Sequence, residues 1–179
     1  MVILIGGSSH VGKTMIAHQL MCKYQIPYVS LDHLKMGFIR THMTTLTVEE
    51  DLKIRYYMWP FVAEIIKTAI ENDQNLILEG CYIPSEWKDS FSADYRKNIH
   101  SVFIVMSEKY IKNNFEKIVQ FQNVIEKRKD QQIDMERLIA CSKDFKDECL
   151  SSGTPVLEIE ETYDTDNIIK SIEKLLELK

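Results

Sequence analysis

The residues best suited to chemistry lie in one short stretch close to the N-terminus. The pattern G-x-x-x-x-G-K-[ST] is matched by Gly7-Ser8-Ser9-His10-Val11-Gly12-Lys13-Thr14. In such a loop, glycines let the backbone turn its N–H groups toward phosphate oxygens. The lysine supplies a positive charge to the β- and γ-phosphates, and the hydroxyl that follows it binds Mg²⁺. The stretch therefore predicts a phosphate-binding loop for ATP and Mg²⁺.

The neighbouring residues provide the structural context that such a loop requires. Residues 1–6 form a continuous apolar run, which predicts a strand buried on both faces. Residues 12–24 place apolar side chains at helical spacing, so the loop should lead into a helix whose N-terminal dipole faces the phosphates. His10 occupies a variable loop position, where it either contacts phosphate or, as we favour, faces solvent.

Strand and helix patterns alternate along the rest of the chain. Apolar runs predict further strands at 27–31, 75–80, 100–106 and 154–159, and helical patterns fall at about 32–41, 47–72, 107–128, 134–150 and 164–178. Thr47 and Glu50 form a capping box at the start of the second of these helices, and Pro60 predicts a break or kink inside it. Five buried strands separated by helices predict a doubly wound α/β fold with a parallel sheet, as a single domain over residues 1–179.

Composition limits the class of protein. The 179 residues are 45% hydrophobic and 27% charged, which is typical of a globular chain, and no apolar run is long enough to cross a membrane. The short apolar start lacks the features of a signal peptide, and the four cysteines lack CxxC spacing, so we expect a cytoplasmic protein with reduced, mostly buried thiols. The net charge of −5 argues against a nucleic-acid partner. A monomer and a homodimer both remain open.

Two carboxylates follow predicted strands at the edge where a ligand would bind. Asp32 follows the second strand and Glu79 ends the third, and in an open α/β sheet the ligand crevice lies at the carboxyl ends of the strands. Asp32 is suited to orienting an acceptor hydroxyl, and its structural alternative is a helix N-cap. Glu79 is suited to binding Mg²⁺ or the acceptor, with Gly80 allowing close approach; its alternative is a salt bridge.

Three segments resemble one family of enzymes. Ile5 to Thr14 resembles the P-loop of small kinases of the nucleoside-monophosphate-kinase-like group, and within it the G-G-[ST]-S-x-V-G-K loop of 2-phosphoglycerate kinase. Ser30 to Met36 is similar to that family's S/T-x-D-x-x-R stretch, and Leu76 to Pro84 is similar to its I-x-E-G-x-H-x-x-P segment. Lys35 replaces the usual arginine and Tyr82 the usual histidine. A looser likeness extends to chloramphenicol phosphotransferase, shikimate kinase and gluconate kinase.

The resemblance implies further features. It implies the strand order 2-3-1-4-5 and a small helical lid at about residues 120–137, which would close a basic residue over the transferred phosphate. Arg128 is the first candidate for that residue and Arg137 the second, although such a dense mixture of charges is equally typical of a solvated helix. Lys35 and Arg40, about one helical turn or more beyond Asp32, either clamp an anionic acceptor or lie on a solvated helix face.

The leading functional hypothesis is a kinase that transfers the γ-phosphate of ATP to a hydroxyl of a small metabolite, with 2-phosphoglycerate as one candidate acceptor. Lys13, Asp32 and Arg128 would be its catalytic residues, and Mg²⁺ its metal, bound through Thr14 and Glu79. A nucleoside-monophosphate kinase is an alternative, although such enzymes usually show more arginines between strands two and three than Arg40 and Arg55. A nucleotide-binding module without transfer activity and a nucleic-acid end kinase also remain open.

Overall fold

The computed structural model describes residues 1–121 and 133–177 of the chain. Five strands and seven helices alternate along it, and the bounds of the strands are β1 Val2–Gly7, β2 Tyr28–Ser30, β3 Leu76–Glu79, β4 Ile99–Met106 and β5 Val156–Ile159. The helices are α1 Lys13–Tyr24, α2 Leu31–Arg40, α3 Asp51–Glu71, α4 Ala93–Arg96, α5 Glu108–Phe121, α6 Met135–Ser152 and α7 Thr165–Leu175. A short 3₁₀ helix, Trp87–Ser90, precedes α4.

All four pairings in the sheet are parallel, and the strand order is β2-β3-β1-β4-β5. The parallel sheet confirms the α/β class expected from the alternating pattern, and the strand order confirms the one that the family resemblance implies. The register aligns Ile5 of β1 with Glu79 of β3, and Ser30 of β2 with the same glutamate. The ends of β1, β2 and β3 therefore meet at one edge of the sheet, where the glycine-rich loop also begins.

Alternate residues of the central strand are buried in opposite layers. Val2 and Leu4 of β1 belong to a core shared with α2, α3 and α6, whereas Ile3 and Ile5 belong to a second core shared with α1, α5 and α7. All four side chains are fully buried. Burial of both faces explains why β1 is a continuous apolar run, since an alternating pattern would suit a sheet with one face in water.

Local signals located most helix ends correctly. Asp134 caps α6 by accepting hydrogen bonds from the backbone N–H groups of Glu136 and Arg137, and Asp164 caps α7 in the same way. Gly153 ends α6 with φ of 64°, the left-handed conformation common at helix C-termini.

The prediction for α3 is wrong at its first residue, and the break, one of the two outcomes that the sequence predicts at Pro60, does not occur. Its first residue is Asp51 rather than Thr47, although the Glu50 carboxylate does accept a hydrogen bond from the Thr47 N–H at 3.0 Å, as in a capping box. The helix also continues unbroken through Pro60. Pro60 is exposed, so water can hydrogen-bond the carbonyl group that the missing proline donor leaves open.

Most of the predicted lid, and Arg128 with it, lies outside the described residues. Within residues 1–121 and 133–177, no helix is long and apolar enough to cross a membrane. The four cysteines are free, as expected, but only Cys149 is buried; Cys22 is exposed, and Cys81 and Cys141 are partly exposed. The expectation of mostly buried thiols is therefore wrong.

Candidate active site

The glycine-rich loop is anchored directly on the neighbouring strand. The backbone N–H of Ser8 donates to the carbonyl oxygen of Ile104 in β4 at 3.0 Å. Gly7 has φ of 119°, and a Cβ atom at this position would lie 2.0 Å from that same carbonyl oxygen. Only glycine allows β1 to turn this close to β4, so the first residue of the motif is dictated by the backbone geometry.

Lys13 is folded back inside the loop that it follows. Its ammonium group donates to the carbonyl oxygen of Ser8 at 2.6 Å and to the sulphur of Cys81 at 3.1 Å, and the side chain is buried. Burial alone would lower the pKa of Lys13, but the neighbouring Cys81 and Glu79 raise it above its ordinary value. Lys13 therefore remains positively charged at neutral pH, with its ammonium group inside the loop.

Thr14 and Glu79 form a corner that is suited to a hard cation. The Thr14 hydroxyl donates to the Glu79 carboxylate at 3.2 Å. Glu79 forms no ion pair with any lysine, arginine or histidine among the described residues. Burial raises the pKa of Glu79, against the opposing influence of the Ser30 hydroxyl, of Lys13 and of the Thr14 hydrogen bond. A bound cation would favour the ionised carboxylate.

Mg²⁺ fits this corner. Ser30 is aligned with Glu79 in the sheet, and its buried hydroxyl is close enough to lower the pKa of that carboxylate, although it makes no hydrogen bond of ordinary geometry with the described residues. Those residues contain no cluster of three or more histidine, cysteine or acidic side chains that would hold a metal unaided. Mg²⁺ is commonly bound by one or two protein groups together with phosphate oxygens and water, so Thr14 and Glu79 match its needs.

Two residues from the C-terminal third of the chain brace the loop, and sequence analysis missed both. The Ser142 hydroxyl of α6 lies 2.8 Å from the Ser8 hydroxyl, and the Tyr163 hydroxyl donates to the carbonyl oxygen of Val11 at 3.1 Å. Burial raises the pKa of Tyr163 to about 12, so its hydroxyl keeps its proton at neutral pH. No local pattern marks either residue, because they lie more than 130 positions along the chain from the loop.

Asp32 lies in the first turn of α2, at the same edge of the sheet. The N-cap of that helix is Ser30, so Asp32 is not the helix cap. The Tyr82 hydroxyl is 3.4 Å from an Asp32 carboxylate oxygen, and Asp32 also contributes to the field that acts on Lys13. Asp32 and Lys13, 19 residues apart in sequence, thus belong to one electrostatic site.

Lys35 is buried and fully engaged within the protein. Its ammonium group donates to the carbonyl oxygen of Val48 at 3.0 Å, to Asp51 at 2.7 Å and to the Tyr82 hydroxyl at 2.8 Å. An ammonium group has three protons, so these partners use all of them. Neither Asp51 nor the role of Tyr82 was identified from sequence, although Tyr82 does stand where the similar motif has histidine.

The remaining predicted residues differ in their surroundings. Gly80 donates its backbone N–H to Ile5, and a Cβ atom there would lie 3.0 Å from the side chain of Leu31 at the start of α2. Arg40 is exposed at the end of α2 and makes no hydrogen bond or ion pair with the described residues. Arg137, in the first turn of α6, is 70% exposed and lies 3.9 Å from Asp51 across the site.

A second surface depression is not suited to binding phosphate. It is lined mainly by acidic and hydroxyl side chains, Ser85, Glu86, Asp144, Asp147, Glu148, Ser151 and Ser152. Its carboxylates would repel phosphate groups, whereas the glycine-rich loop offers backbone N–H groups and an ammonium group.

Solved structures share this fold over nearly the whole chain. A sugar kinase from a Janibacter species matches with a TM-score of 0.61 and 14% identity, covering 99% of this chain and 94% of its own. A shikimate kinase from Bacteroides thetaiotaomicron matches with a TM-score of 0.58 and 15% identity, covering 99% of each chain. The chain has the fold of these small kinases. A gluconokinase from Sinorhizobium meliloti 1021 also matches, with a TM-score of 0.57, 15% identity and coverage of 98% and 93%.

Comparison by sequence found no match, either to a family model or to a curated protein. At 14–17% identity, the structural matches show the P-loop kinase fold and leave the reaction to be argued from the site itself.

Proposed function

We propose that this protein is an ATP-dependent phosphotransferase that transfers the γ-phosphate to a hydroxyl group of a small metabolite. One observation carries the proposal: Lys13 is buried within the electrostatic influence of two carboxylates, Glu79 beside Thr14 and Asp32 beside Tyr82. Phosphoryl transfer needs these groups together, namely a cation for the phosphates, a corner for Mg²⁺ and a carboxylate for the acceptor.

Each group has a distinct task in this proposal. The Lys13 ammonium, now bonded to Ser8 and Cys81, moves to the phosphate oxygens and neutralises charge that develops during transfer. Thr14 and Glu79 would hold Mg²⁺, which would supply positive charge to offset the negative charge of the phosphate groups. Asp32 accepts a hydrogen bond from the acceptor hydroxyl and orients its oxygen toward the γ-phosphate. It takes the hydroxyl proton as the acceptor oxygen bonds to the γ-phosphorus and the bond from that phosphorus to the β,γ-bridging oxygen breaks, so that ADP leaves.

The acceptor is proposed to be a hydroxylated metabolite rather than a nucleoside monophosphate. Of the two arginines between β2 and β3, Arg55 is buried, forms an ion pair with Glu148 at 2.9 Å and stacks over the ring of Phe145. Only Arg40 remains exposed there for a monophosphate. The structural matches, which include a sugar kinase, a gluconokinase and a shikimate kinase, support the same class of acceptor. An acceptor similar to 2-phosphoglycerate belongs to the same proposal.

The test is a turnover screen with Mg-ATP against hydroxy acids, polyols, sugars, 2-phosphoglycerate, nucleosides and nucleoside monophosphates. We expect one acceptor class to raise ADP release, and Lys13→Ala and Asp32→Asn each to lower that rise by roughly 100-fold or more. Asp32→Asn should retain its affinity for ADP, because Asp32 acts on the acceptor. Lys53→Ala, which removes an exposed lysine paired only with Glu50, is the matched control.

A different outcome would favour the nucleotide-binding module. If the protein binds Mg-ATP tightly and no acceptor raises ADP release above the rate seen with water alone, the transferase proposal fails. If turnover occurs and Asp32→Asn leaves it unchanged, the reaction stands and the role given to Asp32 is wrong.

A further inference from the structure

Three side chains form a polar cluster beside Asp32. We call Lys35, Asp51 and Tyr82 the acceptor-side cluster. Lys35 donates to Asp51 at 2.7 Å and to the Tyr82 hydroxyl at 2.8 Å, and that hydroxyl lies 3.1 Å from the same Asp51 oxygen. Lys35 and Tyr82 are 7% and 4% exposed, whereas the Asp51 side chain is 50% exposed.

Tyr82 connects this cluster to Asp32. Its hydroxyl lies within reach of two carboxylates, Asp51 at 3.1 Å and Asp32 at 3.4 Å, and it already accepts a hydrogen bond from Lys35. A phenol has one proton, so it donates to one carboxylate at a time. Each ionised carboxylate has two oxygens and about four positions that accept a hydrogen bond, so both can also accept from a ligand hydroxyl group.

The spacing of the two carboxylates suits a pair of hydroxyl groups. One oxygen of each carboxylate lies near the Tyr82 hydroxyl oxygen, at 3.1 Å for Asp51 and 3.4 Å for Asp32. The distance between these two carboxylate oxygens therefore cannot exceed the sum of the two distances. Hydroxyl groups on neighbouring carbon atoms, each donating over about 2.7 Å, can bridge such a gap. The Asp51 side chain is 50% exposed, so part of it can be reached from solvent.

The charges of the cluster disfavour an anionic group at this position. Asp32 and Asp51 carry two negative charges, and Lys35, the cation of the cluster, has its protons fully used by protein partners. Arg137 approaches Asp51 at 3.9 Å but is 70% exposed, where an ion pair contributes little. A carboxylate or phosphate placed against Asp51 would therefore meet a like charge, which the exposed and weakly paired Arg137 offsets only in part.

We infer that Asp51 is a second acceptor-binding carboxylate, and that the site takes an uncharged polyol with two neighbouring hydroxyl groups, one bound by Asp32 and the other by Asp51. This inference rests on the proposed phosphotransferase function. Lys35 and Tyr82 are positioning residues in it, because they hold Asp51 and direct the phenolic proton. The acceptor similar to 2-phosphoglycerate would then be excluded.

The test compares Asp51→Asn with Glu50→Gln in steady-state kinetics. Both substitutions remove one negative charge at the start of α3, but Glu50 pairs with Lys53 outside the cluster. For the polyol acceptor found in the screen, Asp51→Asn should raise KM by roughly 10- to 100-fold, as expected for the loss of a charge-assisted hydrogen bond. Glu50→Gln should stay within about twofold, and KM for Mg-ATP should not change in either variant.

Tyr82→Phe provides a second, independent variant, because it removes the hydroxyl and keeps the buried ring. It should raise KM for the polyol with little effect on KM for Mg-ATP, and Tyr82→His, which restores a hydrogen-bonding group, should recover part of the loss. ADP affinity of each variant, measured by calorimetry, establishes that the nucleotide site is intact. If Asp51→Asn does not fold, the comparison of Tyr82→Phe with Tyr82→His tests whether the acceptor-side cluster binds the acceptor.

The possible results separate the two proposals. If wild-type protein phosphorylates an anionic acceptor and no polyol, or if Asp51→Asn lowers KM for an anionic acceptor while leaving polyols unchanged, the inference is overturned and the phosphotransferase function stands. If no acceptor of any class raises turnover, the phosphotransferase function fails and the inference fails with it.

Discussion

Replacing Gly12 with alanine would measure how firmly the C-terminal part of the chain braces the phosphate-binding loop. Gly12 has φ of 80°, and a Cβ atom there would lie 2.0 Å from the Tyr163 hydroxyl oxygen, which donates to Val11. Left-handed backbone costs an alanine about 1–2 kcal/mol, and displacing the Tyr163 hydroxyl forfeits a hydrogen bond that contributes about 1 kcal/mol. The free energy of unfolding should fall by about 2–3 kcal/mol, which lowers Tm by roughly 4–12 °C for a chain of this size.

A second substitution separates the two contributions. Tyr163→Phe removes the hydroxyl that the new Cβ would strike, and by itself should cost about 1 kcal/mol for the lost hydrogen bond. In the double variant that bond is lost only once, so its total cost should equal that of Gly12→Ala alone, about 2–3 kcal/mol. The two substitutions should therefore be non-additive by about 1 kcal/mol.

Urea unfolding of the four proteins, followed by the fluorescence of the buried Trp59 and Trp87, provides the free energies. ADP affinity measured in parallel reports whether the loop keeps its shape. Additivity within about 0.3–0.5 kcal/mol would refute the reasoning. In that case the Gly12→Ala variant would keep the hydrogen bond from Tyr163 to Val11, and the short contact between position 12 and Tyr163 would not couple the two residues.

Three further substitutions test the same site and its surroundings. Burial raises the pKa of Glu79 above 4.5, so the fold favours its protonated form and ionisation reduces stability as pH rises through the shifted value. Glu79→Gln should therefore have a higher Tm than the wild type at pH 7, and the difference in Tm should vanish below pH 4.5. The same variant should lose Mg²⁺-dependent nucleotide binding. A Tm equal to that of the wild type at both pH values would contradict this reasoning. Gly7→Ala should give no folded protein by circular dichroism, because its Cβ would lie 2.0 Å from a backbone oxygen of Ile104; a wild-type spectrum would show that β1 can move away. Gly37→Ala is the matched control: it lies within α2 with nothing within 4 Å of its Cβ, so it should raise the free energy of unfolding by about 1 kcal/mol, and a decrease would show an unexpected contact.

The sequence by itself determined the loop, the α/β class and most helix ends. These features depend on neighbours in the chain: a glycine-rich motif after an apolar run, apolar runs long enough for buried strands, and caps such as Asp134 and Gly153. Such signals act over a few residues and are legible without knowledge of the fold. The start of α3 was misplaced for a related reason, because a capping-box hydrogen bond can form in the loop before the helix begins.

Only the tertiary structure decided what surrounds the candidate catalytic groups. Ser142 and Tyr163 reach the loop from distant parts of the chain, Cys81 contacts Lys13, and Asp51 pairs with Lys35. None of these residues has a local pattern that distinguishes it from an ordinary serine, tyrosine, cysteine or surface aspartate. Their roles arise because parallel strands bring their carboxyl ends to one edge of the sheet, and the segments that follow those strands meet there regardless of their separation in sequence.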